Sequence, residues 1–178
     1  MSSHDLPRRW SDTLFSDVFL PAETLEVRAE ARKFADDFLR PIAHEINTTP
    51  ESRNAFRRDV VKAIADAGLY GIPFSKAAGG RGLEYPTLGT LLVMEELGYY
   101  CPGATSALYD GQIILCGQTL LKASQKIQDE YLPRMIKGEI VCCFATSEPD
   151  TSTDLSAASM MTTATKTDGG YMIKRSGR

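Results

Sequence analysis

The stretch Ile140-Val-Cys-Cys-Phe-Ala-Thr-Ser-Glu-Pro-Asp-Thr-Ser-Thr-Asp154 decides how the rest of the chain is read. It begins as an unbroken apolar run, with Ile140, Cys142 and Phe144 on one alternating face and Val141, Cys143 and Ala145 on the other. Apolar side chains on both faces are the pattern of a strand covered on both sides. Pro149 ends any ladder because it has no N–H to give. The short polar residues after it turn the chain through side-chain to backbone hydrogen bonds. Such a junction puts hydroxyls and backbone amides at the mouth of a fold, where loops carry function. An ordinary strand followed by an ordinary loop gives the same residues, so the stretch alone leaves its role open.

Back from this stretch, before Gly138, the apolar period is about 3.6 residues rather than two, and a domain boundary is expected there. The expected parts are an arm over 1–20, a helical domain over 21–138 and the start of a β-domain over 139–178. The fold class is therefore mainly α, an N-terminal all-α helical bundle followed by the first strands of a β-domain. A first helix starts near Pro21 or Ala22, with Val27, Ala31, Phe34 and Phe38 on one buried face, and Pro41 ends or kinks it. A second has Thr49 as N-cap, turns Phe56, Val60, Ile64 and Ala67 inward, and closes at Gly68 with Leu69 in apolar contact.

Gly71 to Gly82 reads as a loop whose Gly79, Gly80 and Gly82 permit close backbone approach. A packing turn is the simpler role, and a ligand loop the other, although no Gly-x-x-x-x-Gly-Lys spacing occurs. Thr87 to Leu97 reads as a third helix, with Leu88, Leu91, Leu92 and Met94 inward. Its Glu95 and Glu96 point about 100° apart, so they cannot flank one bond, and a structural pairing with arginine is expected. A fourth helix, 104–123, is apolar most of the way round, and Gly111 and Gly117 within it imply close neighbours or room for a ligand. Ser124 caps a fifth helix with Ile127, Tyr131 and Met135 stepping by four. Strands follow over 162–166 and 171–174, joined by an Asp168-Gly169-Gly170 turn.

The 178 residues carry a formal net charge of −3, which argues against nucleic acid or an anionic membrane as principal partner. No apolar run approaches the roughly 20 residues of a membrane span. The N-terminus has no apolar signal core, so a reducing, cytoplasmic location is expected. Cys101, Cys116, Cys142 and Cys143 lack metal or redox spacing and are expected as buried, reduced thiols. His4 and His44 stand apart in polar settings, and no metal site is expected.

Four blocks, in order along the chain, resemble the acyl-CoA dehydrogenase family of flavoproteins. Ser147-Glu148-Pro149-Asp150-Thr151-Ser152-Thr153-Asp154 is similar to that family's Thr-Glu-Pro-Gly-Ala-Gly-Ser-Asp turn. Gly71-Ile72-Pro73-Phe74 with Gly79-Gly80-Arg81-Gly82 resembles its Gly-(Ile/Val)-Pro…Gly-Gly-x-Gly segment. Met94-Glu95-Glu96-Leu97-Gly98 resembles the end of one of its helices, and Tyr131 to Glu139 resembles the segment that leads into its first strand. The resemblance covers roughly residues 22 to 174.

The resemblance implies an oxidoreductase that dehydrogenates an acyl-CoA thioester across its α,β bond with FAD as cofactor. A glutamate base takes the α-proton, hydride passes to the flavin, and hydrogen bonds to the thioester carbonyl stabilise the developing charge. It also implies an acyl chain near the 104–123 helix. The implied partners are the acyl-CoA substrate and an electron-transfer flavoprotein or similar acceptor, with a homo-oligomer for a full-length member. By position, Phe144 and Ser147 would line the isoalloxazine ring, and Thr153 would reach the pyrophosphate. Ser147 and Thr153 keep the hydroxyls that the family uses there. Asp150 and Ser152 stand where the family has glycines. A stiffer loop and a carboxylate near a diphosphate would both weaken FAD binding.

In the family the base belongs to a C-terminal domain beyond the matched blocks, and Glu95, Glu96 and Glu148 fall in structural motifs. No catalytic residue is therefore assigned, and this chain by itself is expected to be inactive. Acyl-CoA oxidases and flavin monooxygenases share the helical domain and are the nearest alternatives. A non-catalytic helical assembly subunit is the alternative from a different class.

Overall fold

Pro21, with φ near −57°, leads into helix α1 (Ala22–Phe34), and the Thr24 hydroxyl donates to the Pro21 carbonyl at 2.8 Å. The path runs on through a widened π turn, Ala35–Leu39, into α2 (Arg40–Thr48). In this computed structural model the described residues are 17–50, 52, 56–149, 154–156 and 158–174. Of the two outcomes expected at Pro41, an end or a kink, the end does not occur. A proline ring strikes the carbonyl four residues back, and that residue, Asp37, lies in the widened turn, where the backbone has already changed register. The buried face is Val27, Ala31, Ala35 and Leu39. Phe34 and Phe38 flank it with their rings stacked 5.3 Å apart.

Thr49, expected to open the second helix, instead closes the first. Its N–H and its hydroxyl both donate to the Glu45 carbonyl, at 2.9 and 2.7 Å. The next helix, α3, is Arg58–Asp66, so Phe56 lies before it and is exposed rather than inward. Val60, Val61 and Ile64 are its buried residues, while Ala67, expected inward, is exposed. Gly68 then takes the left-handed conformation at φ +71°, and Leu69 is fully buried, as the sequence indicates. Each large apolar side chain buried in this way contributes on the order of 1.5–3 kcal/mol.

The glycine loop is a packing turn. Gly80 sits so tightly that a Cβ there would lie 2.3 Å from the Phe74 carbonyl oxygen. The Gly71 carbonyl accepts from Phe74 and Arg81, and Gly82 donates back to Phe74 at 2.9 Å. Helix α4 (Pro86–Gly98) packs on α1, and Leu91, expected inward, faces out with 57 % of its surface exposed. The second residue of the acidic pair is buried here. Glu96 accepts from Arg28 Nε at 3.1 Å, Arg32 Nε at 3.0 Å and Arg32 Nη2 at 2.9 Å. Glu95 is exposed.

The fourth helical segment runs as α5 (Pro102–Thr105), a π-helical stretch Ser106–Gly117, and α6 (Gln118–Leu120). Helix α7 is Gln125–Ile136, with Leu132, Met135 and Ile136 buried. Ser124 holds the N-cap position without a side-chain cap bond, and of the expected stripe Met135 is buried while Ile127 and Tyr131 face solvent, Leu132 and Ile136 completing the inward face. Pro133 is accommodated inside the last turn.

The chain divides into two compact units, Met1–Cys143 and Phe144–Arg178. The run from Ile140 to Ala145 is not the two-face-covered strand expected of it. It bends at Ile140 and has no regular structure over 141–145, outside any ladder, with Ile140 and Cys142 packed on the helical core and Val141, Cys143 and Ala145 exposed. The physical reason is the lack of a partner among the described residues, since the strands there pair with each other. These are β1 (Thr163–Thr167) and β2 (Gly170–Lys174), antiparallel with Thr163 opposite Lys174 and Thr167 opposite Gly170. Asp168-Gly169 forms the two-residue turn, with Gly169 at φ +87°.

Candidate functional site

The π-helical stretch carries two stripes. Leu108 and Tyr109, Gln112 and Ile113, and Cys116 and Gly117 are buried, while Ser106 and Ala107, Asp110 and Gly111, and Ile114 and Leu115 are open or half-open. This is a repeat of four residues. It exceeds the 3.6 of an α-helix, and the widened turn keeps both stripes running along the axis instead of spiralling. Gly117 is required on the inner side, where a Cβ would come within 2.4 Å of the Phe74 ring. The Tyr109 hydroxyl donates to the Leu69 carbonyl at 3.1 Å. Burial pushes the Tyr70 and Tyr109 phenols well above their ordinary range, so both remain protonated. The Tyr70 hydroxyl and the Gln112 amide are buried with no hydrogen-bond partner among the described residues.

On the outer side, a cleft of about 340 Å³ lies between the start of α4 and the end of the π-helical stretch. Pro73, Thr87, Thr90, Leu91, Ile114 and Gln118 are among its lining residues. Thr90, itself buried, donates its hydroxyl to the Pro86 carbonyl at 2.7 Å. The lining is an apolar wall with a few polar groups, the composition of a pocket for a mainly apolar ligand. Thr87, Thr90 and Gln118 were not singled out from the sequence as site residues. The signals near the cleft were Gly111 and Gly117, which left room for a ligand open, and the apolar character of Leu91, which the sequence placed on the buried face instead.

In the second unit, Phe144 is 40 % exposed and Ser147 is exposed, both on backbone without regular structure. Thr153, and with it Asp150 and Ser152, lies outside the described residues. Glu148 accepts backbone hydrogen bonds from Met161 at 2.7 Å and Thr162 at 2.8 Å. Asp154 accepts from the Ser156 N–H at 2.9 Å and from the Ser159 hydroxyl. These bonds, with the Ser159 hydroxyl first, hold the Asp154 carboxyl below the usual carboxylate range.

The four cysteines are free thiols, but only Cys101 and Cys116 are buried. Cys142 is half-buried and Cys143 exposed, against the expectation of burial for all four. Among the described residues no group of three or more His, Cys, Asp or Glu side chains could hold a metal ion. None of the described helices is long and apolar enough to cross a membrane.

Residues 21–139 match the family described as "Acyl-CoA dehydrogenase, N-terminal domain". The chain belongs to the acyl-CoA dehydrogenase family. It is 34 % identical over 168 residues to mitochondrial isovaleryl-CoA dehydrogenase of Arabidopsis thaliana, covering 93 % of this chain and 38 % of that protein. It is 32 % identical over 142 residues to the short-chain specific acyl-CoA dehydrogenase of Clostridium acetobutylicum, covering 79 % of this chain and 36 % of the other. Among solved structures, the FAD complex of PigA superposes with a TM-score of 0.74 at 27 % identity, over 90 % of this chain and 40 % of that one. The chain thus spans well under half the length of these relatives.

Proposed function

We propose that this chain supplies the acyl-binding helices and the first flavin contacts of an FAD-dependent acyl-CoA dehydrogenase. Residues 21–138 serve as the helical domain and 139–178 as the start of the β-domain. The observation that carries the reading is the apolar cleft along Ile114, Leu91 and Thr90. A saturated acyl chain gains by leaving water for such a wall, about 0.8 kcal/mol for each buried methylene. The half-open Asp110 and Gly111 leave the same face of the helix accessible.

Phe144 and Ser147 suit an isoalloxazine ring in chemistry and exposure, one being a partly exposed aromatic residue and the other an exposed residue with a hydroxyl. Thr153 is proposed for the pyrophosphate. FAD, when bound, supplies the hydride acceptor. The chain's own part is to hold the acyl chain straight, keep water off it and orient the ring. Electrons would then leave to an electron-transfer flavoprotein or a similar acceptor. No glutamate of this chain is assigned as the base: Glu96 is fully buried between two arginines, and Glu148 holds backbone amides.

Acyl-CoAs of increasing chain length, titrated against the protein, test this reading. Ile114→Trp fills the cleft, so affinity for longer chains should fall about tenfold or more while short chains are little affected. An equal effect at every length, or none, would contradict the assignment of the cleft.

A further inference from the structure

Gln112 stands on the inner stripe of the π-helical stretch and is fully buried. Neither its Oε1 nor its Nε2 meets a hydrogen-bond partner among the described residues, and the hydroxyl of the fully buried Tyr70 is likewise unmatched there. The two side chains belong to one neighbourhood. The Tyr70 ring lies 6.1 Å from the Tyr109 ring, and Gln112 follows Tyr109 by three residues on the same buried stripe. The Tyr109 hydroxyl is already spent on the Leu69 carbonyl at 3.1 Å.

Native interiors rarely leave a buried polar atom unmatched, because its lost hydration is not repaid. Leu108, Ile113 and Cys116, which share the stripe, belong to the apolar core, so a leucine at 112 would pack there without that cost. A glutamine in its place calls for a polar partner. Tyr70 and Gln112 do not bond each other directly. What they present together is a set that water matches. The Tyr70 phenol, kept protonated by its burial, is a donor. The carboxamide adds a donor at Nε2 and an acceptor at Oε1, and a primary amide engages one water through both at once.

We propose that the Tyr70 hydroxyl and the Gln112 carboxamide hold one internal water molecule between the Leu69–Gly71 turn and the π-helical stretch. The water accepts from Tyr70 and from Nε2 and donates to Oε1, about the number of bonds usual for a buried water. One direct link, Tyr109 to Leu69, and one water-mediated link then tie the two segments together. This assignment does not depend on the acyl-binding role proposed above.

The test uses the whole chain as wild type, Tyr70→Phe, Gln112→Leu and the double variant. Oxygen-17 relaxation dispersion of the solvent counts long-lived internal waters, and the double variant should hold one fewer than wild type. In urea titrations each single change should raise the unfolding equilibrium constant about fivefold or more. The double change should raise it by clearly less than the product of the two, since both groups serve the same water. In wild type alone, cross-relaxation should connect water with the Gln112 side-chain NH₂ protons, with the sign of a long residence. An equal water count in wild type and double variant overturns the site, as does the lack of that cross-relaxation. Effects that multiply show two independent groups and overturn the shared water. Coupled effects without a lost water show a direct Tyr70–Gln112 bond, which also overturns it.

Discussion

Glu96 keeps its carboxylate fully out of water between the guanidinium groups of Arg28 and Arg32. Taking a charge from water is costly, so the arrangement holds only while its partners are in place. Glu96→Gln removes the negative charge and leaves the buried Arg28 without it, at a cost of about 3 kcal/mol, or a fall in Tm of about 10 °C. A melt followed by circular dichroism checks this; a shift within a degree or two would mean that the pair is not what holds α1 to α4. At the surface, the Arg57 hydrogen bond holds the Asp59 carboxyl below its ordinary range, with burial opposing slightly. A depressed carboxylate pKa adds stability above the unfolded value, and that contribution is lost as pH falls through the folded value. The stability difference between wild type and Asp59→Asn, from urea titrations, should stay constant above about pH 5 and shrink below about pH 4. A difference that grows as pH falls would contradict the pairing.

Among the elements, the π-helical stretch Ser106–Gly117 depends most on one small residue. Phe74 fills the space where a side chain at 117 would go. Gly117→Ala should destabilise the protein by about 1–3 kcal/mol through overpacking, despite alanine's better helix propensity. Phe74→Leu in the same chain should recover part of that loss, and urea midpoints of the three proteins decide it. The sequence made helices legible wherever an apolar face repeated, and Gly68 marked one end correctly because only a left-handed residue fits there. It did not reveal the two widened turns. Pro41 read as a stop or a kink because a helix of regular pitch cannot hold it, and nothing local says that the turn before it will open. Thr49 is equally good at capping a start or closing an end, and the hydrogen bonds to Glu45 settle which. The apolar run at Ile140 carries strand composition, but a strand also needs a neighbour, and composition does not specify one. The acidic pair was legible in kind, since adjacent residues on a helix diverge, while the choice of Glu96 over Glu95 needed the position of α1.

For the molecule as a whole, the family is established and the roles within it are proposals, because the chain spans 38 % of the Arabidopsis relative and 36 % of the Clostridium one. The account therefore stands on what the helical unit can do with an acyl chain. The candidate cleft was only partly visible beforehand: Gly111 and Gly117 hinted at room or tight packing, and the structure divides them, Gly117 pressed on Phe74 and Gly111 on the half-open stripe. The most direct measurement is amide chemical shifts of the labelled protein during a titration with butyryl-CoA. The account predicts saturable changes centred on Thr87, Thr90, Leu91, Ile114 and Gln118, which Ile114→Trp suppresses for longer acyl chains. Changes confined to residues away from α4 and the π-helical stretch, or none at millimolar ligand, would contradict it.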